Sequence, residues 1–421
     1  MLLTRVRNFD GHLSKSLTLE DGKLVKTAAA DLVNGMAHRV RADDIDHLAK
    51  VVCGLTSKEA LTFGVPSLEH VKITTQEHLA RGRAPLGAVP RDRAHFTWPN
   101  GRGVLMLDID RPKDGSEPFS STSFDQLLCD ILPWWRGVAR FYRPSVSAFV
   151  YAEDGRQLSG PGSLRCYATA DKAENIPFVG VAIADALWKA GCGRIEFGKA
   201  GQALVRCPID TAVWQPERLD FAGAAVLGAG LVQKKFAPRV IDGKAIDTET
   251  VIASGPGKVT VAAWSSNSIE VRKAKHSARP EERKRQRAYM KRCVEKDVAA
   301  GFEEAEARRK WRAALEARIL EAAFELHFRD QGTVTVSEVL RDPGRFNFER
   351  LADPTEPDYA NDPRIAQFYA NEGQGRPHIF SHAHGGCKYV LTLAYASNSS
   401  ETSQPKEANN STSRGGRHAR N

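Results

Sequence analysis

The sequence predicts an α+β fold, with small mixed or antiparallel sheets and flanking helices. Residues 103–225 hold several apolar runs of strand length around one longer apolar helix, without the regular strand–helix alternation of a doubly wound sheet. Segments on both sides carry apolar residues at helical spacing. The composition is that of a globular chain, with 42% hydrophobic and 26% charged residues, which excludes wholesale disorder and collagen. A length of 421 residues allows two or three domains.

In chain order, residues 1–95 read as a helical region. LVNGMAHRVRADDIDHLAKVVCGL has helical apolar spacing, with Asp43 and Asp44 near a helix start. RGRAPLGAVPRDRAHFTWPNGRG is rich in Gly, Pro and Arg and reads as loop. The core, 96–270, opens with the strand GVLMLDID, followed by SVSAFVY and LRCYATA as strands. PFVGVAIADALWKAG is an amphipathic helix, and GRIEFGK and QALVRCPID are strands turning around Gly201. GLVQKKF and KVTVAAW read as further strands.

The third region, 271–396, is a basic, mainly helical accessory region. Its long helix over 281–328 carries Phe302, Trp311, Leu315, Ile319 and Leu326 towards one side, and the region closes on a strand–turn–strand in HIFSHAHGGCKYVLTL. Residues 397–421 are polar and low in complexity, a composition that predicts disorder.

Charge and cysteine usage narrow the function. The net charge of +9 is concentrated in Arg272–Arg312, which has 15 Lys and Arg against 7 Asp and Glu. Such a helix either presents a solvated face or attracts a phosphate backbone through counterion release. Its candidate nucleic-acid contacts are Arg283, Lys284, Arg285, Arg287, Lys291 and Arg292. The seven cysteines are dispersed without a C-x-x-C pair, which argues for reduced thiols in a cytoplasm. No apolar run nears the roughly 18 residues that span a bilayer, so no membrane partner is expected.

The chemistry-bearing feature is LMLDID. Asp108 and Asp110 are two apart at the end of an apolar strand and therefore share a face. Two adjacent carboxylates repel unless they share a cation, either a divalent metal or nearby Arg111 and Lys113. RCPID places Asp210 at the end of another apolar strand. If the strands are neighbours, three carboxylates converge, a set able to hold two Mg²⁺ or Mn²⁺ for phosphoryl or nucleotidyl transfer. Ser159, Gly160, Pro161 and Gly162 form a small-residue loop that reads as a turn, or as backbone able to approach phosphates. SGPGKVT at 254–260 has Ile252 and Val259 where a phosphate-binding ATPase loop needs Gly and Ser or Thr, so no ATPase is expected here. His382 and His384 do not match zinc-module spacing and read as a hairpin. Trp134, Trp135, Phe141 and Tyr142 alternate with arginines and fit core packing or base stacking, with packing preferred.

In order, LMLDID, SGPGSLRCY and LVRCPID resemble the archaeo-eukaryotic-type primases, or primase-polymerases, of phages, plasmids and integrative elements. The stretch ALWKAGCGRIEFGKAGQALVRCPIDTAVWQPERLDF carries most of the resemblance, which covers roughly residues 100–395. It implies metal-binding and catalytic roles for Asp108, Asp110 and Asp210. It implies a nucleotide-binding segment from Ser159 through Gly160, Gly162 and Arg165 to Tyr167. Arg206, Arg218 and Asp220 would surround the third motif, orienting it, binding nucleotide or contacting nucleic acid. It implies single-stranded DNA and nucleoside triphosphates as partners, with any helicase a separate protein. The chain departs from the family pattern at Arg165-Cys166-Tyr167, where the family has His in a His-x-Tyr context. Arg binds triphosphates bidentately but donates no proton at neutral pH. A catalytically silent single-stranded-DNA-binding accessory and a metal-dependent nuclease therefore stay open as alternatives.

Overall fold

The computed structural model describes residues 1–27, 32–111, 117–234, 236–371 and 375–393. The fold is α+β, as the sequence predicts. The sequence reading of the 397–421 tail, and the Lys113 part of the Asp-x-Asp reading, lie outside the described residues.

The first 95 residues correct the helical expectation. The described ones among them carry more strand than helix, with helices over Ile45–Cys53 and Gln76–Ala80. Five strands join in the order Glu59–Thr62, Leu2–Asn8, Gly35–Arg41, His70–Thr74, Val89–Pro90. The apolar residues of the Gly35–Arg41 segment also fit a 3.6 period, which is why the sequence predicts helix there. The segment is instead an inner strand, paired along its length with Leu2–Asn8 and over Gly35–His38 with His70–Thr74. The helix begins only where the Asp44 carboxylate caps the His47 N–H at 2.7 Å.

The central sheet runs in the order Arg239–Ile241, Arg140–Pro144, Leu164–Ala170, Gly103–Ile109. Its apolar face packs on the helix Ile176–Lys189, whose buried residues run almost all round it. Gly180 in that helix touches the Trp214 ring, where an added Cβ would overlap the indole. Trp214 in turn donates its Nε1–H to the Met106 carbonyl at 3.0 Å, which ties the segment after RCPID to the GVLMLDID strand. Trp135, Phe141 and Tyr142 are fully buried, so packing explains these aromatics. Arg140 is not free for nucleic acid, because it is buried against Asp125 at 2.6 Å.

One hydrophobic core runs from Leu3 to Val271, so residues 1–95 and 96–270 share a core. A second core runs from Ala314 to Leu391. Between them lie the helix Ile269–Ala299, which continues through Pro280, and the helix Glu304–Arg312. Lys310 and Trp311 fix the second helix to the first through Asp297, at 2.6 and 2.8 Å. The helix read over 281–328 therefore stops early. From Ile319 the chain builds a seven-stranded sheet with the expected hairpin, His378–Ser381 and Cys387–Leu391, inside it. KVTVAAW is also corrected. Thr260 caps a helix over Val261–Asn267, because its hydroxyl accepts from the Ala263 N–H.

Candidate nucleotidyl-transfer site

The site is built on one face of the central sheet. Antiparallel pairing sets Arg165 opposite Asp108. On the other edge of the Asp108 strand, Ile109 bridges Ile209. The Asp210 N–H donates to the Asp108 carbonyl at 2.8 Å and the Asp110 N–H to the Pro208 carbonyl at 3.1 Å. That register puts Asp210 directly opposite Asp108. Residues opposite each other in an antiparallel pair share a face. Arg143, Arg165, Asp108 and Asp210 thus form one row across four segments. The segments carrying Asp108 and Asp210, distant in sequence, are neighbours, which is the condition on which the RCPID reading rests.

The row is electrostatically tense. Burial raises the Asp108 pKa above the usual carboxylate range, and the charges of Asp220 and Asp210 push the same way. Arg165 pulls against them, and so does Lys15. The Arg165 Nε lies 3.7 Å from Asp108, and its Nη1 donates to Asp220. Burial opposes the Arg165 charge, but Asp220, Tyr167 and Asp108 hold it firmly protonated.

The sequence places Asp220 beside the third motif as an orienting or nucleic-acid-contacting residue, whereas the structure makes it the buried partner of Arg165 and Tyr167. It is 2% exposed and accepts from the Tyr167 hydroxyl at 2.7 Å as well as from Arg165. Its backbone pairs with Leu61 in both directions, at 2.8 and 3.1 Å, and the Gly64 N–H donates to the Pro216 carbonyl. The N-terminal sheet therefore holds the PERLDF segment over the site. The available signal was local, because Leu219-Asp220 repeats the apolar-Asp pattern of Ile209-Asp210.

Other predicted residues fall in several places. The Ser159–Ser163 loop enters its strand at the end where Asp110 leaves the neighbouring one, since Leu164 pairs with Ile109. The Ser159 hydroxyl donates to the Ser147 carbonyl at 2.8 Å. The Gly160 carbonyl accepts from the Phe149 N–H, and Gly162 sits at φ +68° against Ser145. Tyr167 corrects the nucleotide-facing expectation, because it is wholly buried and stacked on Phe141 at 4.7 Å. Arg206 pairs across its hairpin with Glu196 at 3.4 Å, and Arg218 lies 3.8 Å from Asp210. On the basic helix, Arg285 pairs with Glu281 at 2.7 Å and Lys291 with Glu295 at 3.7 Å. Arg292 lies over the Tyr289 ring, and Lys284 is exposed. Arg283 and Arg287 line a cavity beside the helix.

Asp108 and Asp210 supply the hard oxygen donors that Mg²⁺ and Mn²⁺ take. The Asp108 carboxyl, raised first by burial and further by Asp220 and Asp210, is one whose charge a cation would relieve, so the donor chemistry suits a divalent metal. Among the described residues, no group of three or more His, Cys, Asp or Glu is gathered closely enough to hold an ion as it stands. The segment 254–260 links a helix to a helix, whereas a phosphate-binding ATPase loop joins a strand to a helix. No described helix is long and apolar enough to cross a membrane. Comparison with family models, curated proteins and solved structures finds no match to this chain.

Proposed function

We propose that the chain is a primase-polymerase-type nucleotidyltransferase of a mobile genetic element, acting in the cytoplasm on single-stranded DNA. The row of Asp108 and Asp210 facing each other across paired backbones carries the reading, with Asp110 two residues along the same strand. Asp108, Asp110 and Asp210 would hold two Mg²⁺ or Mn²⁺. When bound, such ions lower the pKa of the attacking hydroxyl and neutralise the triphosphate and the departing pyrophosphate. The chain's own residues orient the reactants. Arg165 offsets the negative charge of Asp108, and Asp220 and Tyr167 fix its direction. The Ser159–Gly162 backbone lies at the same sheet end and suits the approach of nucleotide phosphates. The basic residues of the long helix outside its arginine cavity, Lys284, Arg285, Lys291 and Arg292, would hold template backbone, and unwinding would fall to a separate helicase.

Labelled nucleotides on a single-stranded template with Mn²⁺, read on a gel, test this reading. Elongation is expected from the native chain, and its loss from Asp108→Ala and Asp110→Ala with the fold intact. Synthesis retained in the double variant would remove the mechanism.

A second reading is favoured by one observation: the Arg165 guanidinium already occupies the space between Asp108 and Asp220. On that reading the chain is a catalytically silent replication accessory. It would bind single-stranded DNA in a salt-dependent way and neither extend nor shorten it.

A further inference from the structure

A cavity of about 690 Å³ lies between the two hydrophobic cores, and five arginines line it: Arg283, Arg287, Arg308, Arg312 and Arg318. Glu316 is the acidic residue in its wall. Arg283 and Arg287 also border a second cavity of about 450 Å³ with His276 and Arg279. Positions 276, 279, 283 and 287 follow one face of the long helix. Arg308 and Arg312 stand one turn apart on the shorter helix, and Arg318 follows at φ +57°, its guanidinium on the Cys387 thiol.

Among the described residues, Arg308 alone of the five has a carboxylate partner, Glu304 at 2.6 Å. Guanidinium groups stay charged at any physiological pH, and although water and salt screen the four that are exposed, a bound anion relieves their mutual repulsion further. Three separate elements aim arginines at one volume. A compact anion with oxygens on several sides meets all of them, whereas a strand backbone presents its phosphates in a line. The volume is that of a small-molecule site, and Met290 and Leu315 add an apolar wall.

We propose that this cavity binds a compact, freely diffusing polyphosphate of the nucleoside triphosphate class. The site shares no residue with the sheet carboxylates and stands whether or not those act in catalysis.

Calorimetric titration of the full chain tests it, with ATP, inorganic tripolyphosphate and AMP as probes, in EDTA so that no metal-dependent site contributes. ATP and tripolyphosphate should bind at least about tenfold more tightly than AMP, as several charge-assisted contacts require. ATP tighter than tripolyphosphate assigns the wall to a nucleoside, and equal affinities assign the site to phosphate alone. Arg283→Ala with Arg312→Ala should remove the preference, with circular dichroism unchanged. Should that variant not fold, Arg283→Lys with Arg312→Lys keeps charge, loses the bidentate fork and should weaken binding several-fold. Asp108→Ala should leave the affinity as it is. The proposal is overturned by equal binding of AMP, by a preference that survives the arginine changes, or by loss of binding in Asp108→Ala. It is also overturned if 5′-hydroxyl single-stranded DNA holds the site and ATP does not displace it.

Discussion

Arg165→Met isolates the interaction that organises the sheet site. The side chain is 12% exposed and is shared between the buried Asp220 carboxylate and Asp108 at 3.7 Å. At an effective dielectric near 20, a pair about 4 Å apart attracts by roughly 4 kcal/mol before desolvation is counted. Methionine fills similar volume but leaves Asp220 with the Tyr167 hydroxyl as its remaining side-chain donor. Removing one partner of a buried pair costs about 3–5 kcal/mol, because the other charge stays buried. Asp220→Asn in the same background removes that stranded charge, so the double variant should recover roughly 1–3 kcal/mol of the loss. Urea unfolding followed by tryptophan fluorescence suits the measurement. Trp135, Trp188, Trp214 and Trp264 belong to the core that holds the site, and Trp311 to the other. A loss below about 1 kcal/mol, or strictly additive single effects, would refute the claim that Arg165 neutralises buried carboxylates.

Other outcomes follow from the same geometry. Because burial raises the folded Asp108 carboxyl pKa above its unfolded value, stability is lost as pH rises from the unfolded value through the raised one and stays lost above it. Asp108→Asn should therefore raise stability near neutral pH, with the gain fading as pH falls towards the unfolded carboxyl value. A gain that grows on acidification would contradict the sign. Gly180→Ala drives a methyl into the Trp214 indole and should cost about 1–3 kcal/mol, read as a lower urea midpoint. An unchanged midpoint would show that the helix shifts freely. Leu61→Pro removes the N–H that donates to the Asp220 carbonyl and should loosen the PERLDF segment, measured as faster amide exchange at residues 217–222. Unchanged exchange there would mean that the N-terminal sheet does not hold the segment.

The sequence by itself determined those elements whose apolar pattern is strong and local. GVLMLDI, LRCYATA and the 176–189 helix are dominantly apolar, with few polar interruptions, and leave little alternative to burial. Asp108 was legible for the same reason, as a charge ending such a run. Gly35–Arg41 was not, because its spacing fits either period and the choice falls to Leu2–Asn8 and His70–Thr74 as partners. Only tertiary structure decided that Asp210 stands opposite Asp108 and that Asp220 closes over Arg165. Those placements depend on backbone pairing between segments some 100 to 160 residues apart along the chain, with Ile209 meeting Ile109 and Asp220 meeting Leu61. Local propensity carries no record of such pairings. They are selected by which strands can satisfy each other's N–H and C=O groups once the common core has formed.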